Sequence, residues 1–160
     1  MELDVYLAAA ALSPAAVMGA KSWIVTRNGT IADALLDTKC GIKDPQAVAM
    51  VTLRFVRDVG ASSLKGAFNE ILAGLPTSTI EAFTEQVAEA VGSAGVKTGD
   101  DVLFVWMEGG GLYIMCNGRV GRVVNRAVER QLLEGYLNPD KGVSPELRKC
   151  FADHISTLHD

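Results

Sequence analysis

The chain has 160 residues, of which 49% are hydrophobic and 21% are charged, and its formal net charge is −4. This composition is typical of a globular protein and excludes a disordered chain, while the negative charge argues against a nucleic-acid-binding protein. No apolar run reaches the ~18 residues that a membrane-spanning helix needs, so we expect none, and the length predicts one domain over residues 1–160.

The first half of the chain predicts strands separated by short helical segments. Residues 5–10 fit either a strand or the start of a buried helix. Ser13-Pro14 is typical of a helix start, residues 22–26 fit a short strand before an Asn-Gly turn, and residues 31–38 fit a short helix. Residues 47–59 are the longest strand candidate, because apolar and polar side chains alternate along them.

The second half predicts helices around one β-hairpin. The helices are expected over residues 61–72, 77–91 and 120–137 and from Ser144 onward, and the hairpin over residues 102–116. Ser62 or Ser63 is expected to cap the first of these helices, and Gly92 and Gly95 to end the second. Because strands and helices come in blocks and not in strict alternation, we expect the α+β class, with helices laid on an antiparallel sheet.

The motifs offer no metal or nucleotide site. Glu108-Gly109-Gly110-Gly111 stands between two predicted strands and lacks the spacing of a phosphate-binding loop, so it predicts a hairpin turn. His154 and His159 are five residues apart, which does not suit a metal pair on a helix. The 3 cysteines show no metal or disulfide spacing and are expected to be small buried residues; they are Cys40, Cys116 and Cys150.

Two arginines fall in the predicted strand 47–59. A guanidinium on such a strand can reach a cleft and hold a carboxylate through two N–H groups. Because side chains alternate along a strand, Arg54 and Arg57 are expected on opposite faces, so at most one of them faces a cleft. A structural interpretation also fits, in which Arg57 forms a local ion pair with Asp58.

A second basic set recurs at three- and four-residue spacing near the predicted helix 120–137. Its members are Arg119, Arg122, Arg126 and Arg130. On a helix this spacing forms one positive stripe, partly balanced by Glu129 and Glu134. A solvated helix face and a surface for an anionic partner or carboxylate both fit this pattern.

The predicted elements of the second half follow a recognisable order. A strand, a glycine turn, a second strand and a long helix are followed by Tyr136-Leu137 and then by the run Val-Ser-Pro-Glu-Leu-Arg at 143–148. This order resembles that of the chalcone isomerase family. Residues 53–59 resemble the strand end of bacterial and algal members, and residues 94–103 resemble the run into the central hairpin. The resemblance covers most of the chain and implies an open-faced β-sandwich, an antiparallel sheet covered by a layer of helices around an apolar cleft.

The same resemblance argues against isomerase activity. Members that cyclise chalcones use an arginine with a tyrosine, a lysine and an asparagine. When this sequence is aligned to the family, Thr79, Ala82 and Gln86 stand at the last three positions, and the strand that carries the arginine falls before Met1. Fatty-acid-binding relatives hold a carboxylate with an arginine and a tyrosine and keep the alkyl chain in the cleft.

These observations predict a non-catalytic domain that binds a fatty acid or another apolar carboxylate, or that serves as an interaction module. Its cleft would lie among residues 51–55, 80–87 and 120–130. The expected binding residues are Arg54, Phe55, Arg57, Thr79, Phe83, Gln86 and Arg126. No metal, cofactor or nucleic acid is expected.

Two other hypotheses remain open at the level of sequence. One is an accessory subunit of a larger assembly, in which a protein partner covers the sheet edge left by the missing strand. The other is an active intramolecular lyase, completed by residues upstream of Met1. Glu2 and Asp4 stand where a signal peptide carries basic residues, and the compartment stays open between plastid and cytoplasm.

Overall fold

One antiparallel sheet forms the centre of the fold, with its strands in the order β1-β2-β3-β4-β5. The computed structural model describes the backbone of residues 6–12 and 47–137, and the side chains of residues 47–136. The strands are β1 (Tyr6–Leu12), β2 (Ala47–Phe55), β3 (Asp101–Met107), β4 (Leu112–Cys116) and β5 (Arg119–Val123). Of the segment at residues 5–10, which fitted a strand or a helix, the described part from Tyr6 onward is a strand.

The helices of the described part are α1 (Ala61–Ile71), α2 (Thr77–Val91) and α3 (Arg126–Leu137). Together with the antiparallel sheet they confirm the predicted α+β class. The elements expected at residues 13–14, 22–26, 31–38 and from Ser144 onward lie outside the described residues, as do Cys40, Cys150 and both histidines.

Aromatic side chains join the helices to the sheet in one apolar core. Phe68 of α1 meets Phe83 of α2 and Phe104 of β3 edge-on, with ring centroids 5.3 and 5.6 Å apart. Tyr136 of α3 lies 6.2 Å from Phe104, and the indole N–H of Trp106 donates to the Glu129 carbonyl oxygen at 2.8 Å. The alternating inward residues of β2 (Val51, Leu53 and Phe55) are all buried, as the sequence predicts.

The helix predicted over residues 120–137 is too long. Its first part is the strand β5, and α3 begins only at Arg126. Asn117 and Gly118 lie at positive φ, 49° and 78°, and join β4 to β5 in a tight hairpin. An Asn-Gly pair between apolar runs is a strong hairpin signal, and it outweighed the helical spacing that followed it.

The start of α3 is set by Asn125. Its side-chain oxygen accepts the backbone N–H groups of Ala127 and Val128 at 3.1 and 3.2 Å, which caps the helix. The predicted positive helix stripe is therefore wrong, because Arg119 and Arg122 lie on a strand and the remaining two arginines on α3.

The end of β2 also differs from the prediction. The strand ends at Phe55 and not at residue 59, and Val59 forms only an isolated bridge with Val96. Likewise, α1 is capped by Gly60 without any side-chain bond, so the expected serine cap is wrong. Cys116 is buried as expected, and burial raises the pKa of its thiol.

The sequence allowed a local ion pair between Arg57 and Asp58, but the structure shows none. Asp58 has other partners. Its carboxylate accepts the backbone N–H and the hydroxyl of Thr98 at 2.8 and 3.0 Å, and the Lys97 ammonium at 2.9 Å. The Thr98 N–H above all, then these side-chain hydrogen bonds, lower the pKa of Asp58 from 3.8 to about 2. The carboxylate thereby ties the end of β2 to the loop before β3.

We expect the Asp58 contribution to depend on pH in the acid range. Because the folded pKa lies below the unfolded one, the stabilisation is complete above 3.8 and is lost as the pH falls toward about 2. Urea unfolding of wild type and Asp58→Asn should therefore give a constant stability difference near neutral pH that shrinks in that window. A difference that stays unchanged across the window would contradict the assigned role of the carboxylate.

Candidate ligand-binding site

An open, mostly apolar cavity of about 660 Å³ lies between the end of β2, α1 and α3. Leu53 and Phe55 form its sheet wall, Leu64 and Phe68 form the wall from α1, and Tyr136 of α3 also lines it. All of these side chains are buried. The volume falls within the range of small-molecule sites, and the mixture of aliphatic and aromatic walls suits an alkyl chain.

The helical period of α1 builds both the floor and the rim of this cavity. Leu64, Phe68 and Ile71 recur at i, i+4 and i+7 and turn toward the core, where they are buried or half-buried. The neighbouring row at the same spacing is Ser63, Ala67 and Glu70, and it is exposed. The cavity is therefore a groove with an apolar floor and a partly polar edge that faces water.

Arg57 stands at the rim of this groove. It follows Leu53 and Phe55 at two-residue spacing, and all three line the cavity. Among the described residues, no carboxylate forms an ion pair with Arg57. Its guanidinium thus offers its N–H donors to a bound anion, and paired parallel donors are the geometry that a carboxylate accepts best.

Arg54 and Arg126 line neither this cavity nor the second one described below. The Arg54 guanidinium donates two hydrogen bonds to the Asp101 carboxylate, at 2.8 and 2.7 Å, and those bonds lower the pKa of Asp101. Arg126 lies 3.5 Å from the buried carboxylate of Glu129. The other two arginines predicted to bind a ligand, Arg54 and Arg126, therefore each have a protein carboxylate as a neighbour.

Thr79, Phe83 and Gln86 come together in a second, smaller cavity of about 390 Å³. It lies between the start of α2 and the connection from β5 to α3, and the Gln86 side-chain oxygen accepts the Arg122 backbone N–H there at 2.9 Å. Phe68 lines the first cavity and Phe83 the second, with their rings in edge contact. The expected binding residues are therefore divided between two cavities and two ion pairs.

The cleft predicted from the sequence did not include α1 or Tyr136, which both line the cavity. The apolar stripe of α1 predicted the burial of Leu64 and Phe68, but nothing in a helical period distinguishes a core face from a cavity wall. The available signal was proximity along the chain, since α1 follows directly on the strand that carries Arg57. Tyr136 gave no such signal, because only the packing of α3 brings it to the groove.

Within residues 6–12 and 47–137, no group of three histidine, cysteine, aspartate or glutamate side chains is placed to hold a metal ion. None of the helices described there is long and apolar enough to cross a membrane.

Comparison with known proteins supports the fold. No family model matches the chain, and none of the curated proteins does. Among solved structures, the crystal structure of a fatty-acid binding protein from Arabidopsis thaliana is similar, with 16% sequence identity and a TM-score of 0.69. The match covers 98% of this chain and 80% of that protein. At this identity the likeness establishes a chalcone isomerase-like fold, which confirms at the level of fold the resemblance read from the sequence.

Proposed function

We propose that this chain binds a fatty acid or another apolar carboxylate in the cavity between β2, α1 and α3, within an open-faced sandwich. One observation carries the proposal: Arg57, which pairs with no described carboxylate, stands at the rim of a groove with an apolar floor. The similar Arabidopsis protein is itself described as fatty-acid binding, which supports this ligand class.

The geometry accounts for both parts of such a ligand. The alkyl chain would lie over Leu53, Phe55 and Phe68, where each buried methylene contributes about 0.8 kcal/mol. The carboxylate would stay at the rim and accept two N–H groups of Arg57. Keeping the charged end in contact with water avoids the large desolvation cost of a buried ion.

The proposal includes no isomerase activity. Most of the cavity wall beside Arg57 is hydrocarbon and aromatic, and its groups able to transfer a proton are chiefly Asp58, Glu70 and Tyr136. The Asp58 oxygens already accept hydrogen bonds from Lys97 and Thr98. In the alignment that the family resemblance implies, Thr79 and Ala82 replace the tyrosine and the lysine of the isomerases, so a phenol and an amine are lost, whereas Gln86 keeps a carboxamide at the asparagine position. These residues line the other cavity.

Titration calorimetry with dodecanoate tests the proposal. We expect Arg57→Gln to weaken binding about tenfold, since a charge-assisted hydrogen bond at a wet rim is worth about 1.4 kcal/mol. Lys65→Gln is the matched control, because it removes one exposed positive charge from α1 outside the cavity lining. The control should bind as wild type does.

The length of the ligand's alkyl chain provides a second test of the same site. From octanoate to dodecanoate, affinity should rise about fourfold per methylene in wild type and in Arg57→Gln alike. A wild-type protein that binds no fatty acid, or an Arg57→Gln variant with unchanged affinity, would overturn the proposal.

A further inference from the structure

Charge is distributed unevenly along the candidate cavity. Arg57 lies at the end where α1 begins, and Glu70 lines the cavity in the last turn of the same helix. From Ser63 to Glu70 the helix axis rises roughly 10 Å. The groove therefore has a cationic end and an anionic end with an apolar floor between them.

A second carboxylate, Asp58, also lines the cationic end, but it is already engaged. Its oxygens accept hydrogen bonds from the Lys97 ammonium and from the backbone N–H and hydroxyl of Thr98. The negative charge of Asp58 is therefore compensated at this end of the cavity. Arg57 remains the cation at this end that pairs with no described residue. The α1 N-terminus, which has no side-chain cap, adds its positive dipole end on the same side.

Within residues 47–136, no ion pair or side-chain hydrogen bond stabilises the Glu70 carboxylate. A carboxylate in the last turn of a helix opposes the helix dipole, and no described residue forms an ion pair with this one. The backbone around it is held firmly, because the Gln131 side-chain nitrogen donates to the carbonyl oxygens of Ile71 and Ala73 at 3.0 and 2.9 Å. Glu70 is thus an exposed negative charge on a fixed helix end.

The geometry points to Glu70 as a specificity residue. It disfavours a second anionic group at the far end of the ligand, so the cavity selects linear amphiphiles with one terminal carboxylate. A neutral far end is accepted, and a cationic far end gains an attraction. This inference rests on the proposed binding of apolar carboxylates at the same site, and adds which members of that class are rejected.

Three ligands of equal length test it: decanoate, decanedioate and ω-aminodecanoate, each titrated into wild type and Glu70→Gln. The variant should bind decanedioate about fivefold more tightly and ω-aminodecanoate about fivefold more weakly, because the end charge no longer meets a carboxylate. Decanoate should change by less than about twofold. Glu89→Gln, an exposed acid on α2 outside this cavity, should leave all three affinities unchanged.

Opposite changes in the affinities for decanedioate and ω-aminodecanoate distinguish charge selection from a general disturbance of the site. If Glu70→Gln shifts all three affinities alike, or none, the inference is overturned while decanoate binding still upholds the proposed function. If decanoate does not bind the wild-type protein, the proposed function and this inference fall together. Added salt should shrink both fivefold effects, since the charges face water.

Discussion

Replacing Gly121 with alanine is expected to destabilise the protein by about 3 kcal/mol, because β5 and α2 touch backbone to backbone there. A Cβ built on Gly121 lies 2.9 Å from the carbonyl carbon of Gln86, and closer still to its oxygen. A backbone carbonyl in the middle of a helix cannot rotate away as a side chain does. The whole helix must shift, and its contacts with β4 and β5 are then lost.

A second glycine provides the matched control for this substitution. Gly66 lies in α1 and is exposed, and no atom lies within 4 Å of a Cβ built on it. Gly66→Ala should therefore stabilise the protein by about 1 kcal/mol through helix propensity. Urea unfolding of both variants measures the two effects, and a Gly121→Ala variant as stable as wild type would refute the close approach of α2 to β5.

Replacing Glu129 with alanine is expected to cost about 3 kcal/mol, because it removes a buried carboxylate on which two other groups depend. The Glu129 side chain is 2% exposed. One of its oxygens accepts the Gly111 N–H at 3.0 Å, which ties the glycine hairpin to α3, and the other lies 3.5 Å from Arg126. Alanine would leave the buried Gly111 N–H without an acceptor and a void beside it.

Glu129→Gln separates the acceptor from the charge. Glutamine has nearly the same shape and keeps a carbonyl oxygen for Gly111, so we expect a loss of only about 1 kcal/mol. Thermal and urea unfolding of both variants measure the difference. If glutamine destabilises as much as alanine does, the interaction with Arg126 and not the bond to the hairpin holds this part of the fold.

The class of the fold was predictable because it follows from local periods. Alternation along β2 and the helical stripes of α1 and α2 can be read from neighbouring residues, and the structure agrees with them. The error at residues 120–125 arose where two local signals competed. The Asn117-Gly118 turn required a strand, whereas the arginine spacing fitted a helix, and pairing with β4 decided between them.

The candidate site was less predictable because it depends on partners that are distant in sequence. The sequence alone does not distinguish the surroundings of Arg54 from those of Arg57. The register of β2 against β3 places Asp101 beside Arg54, whereas Arg57 lines the cavity. In the same way, Asp58 forms an ion pair with Lys97 and not with its sequence neighbour Arg57. Such choices are made by strand pairing, which no local pattern records.

The sequence by itself determined helices α1 and α2, strands β2 to β4, the glycine hairpin and the α+β class, because short-range periodicity and turn chemistry specify them. The tertiary structure alone decided which apolar residues line a cavity and which form solid core. It also decided that Arg57 and Glu70 stand at opposite ends of one groove. The physical reason is that a cavity is defined by the packing of several elements around it, and packing depends on all of them at once.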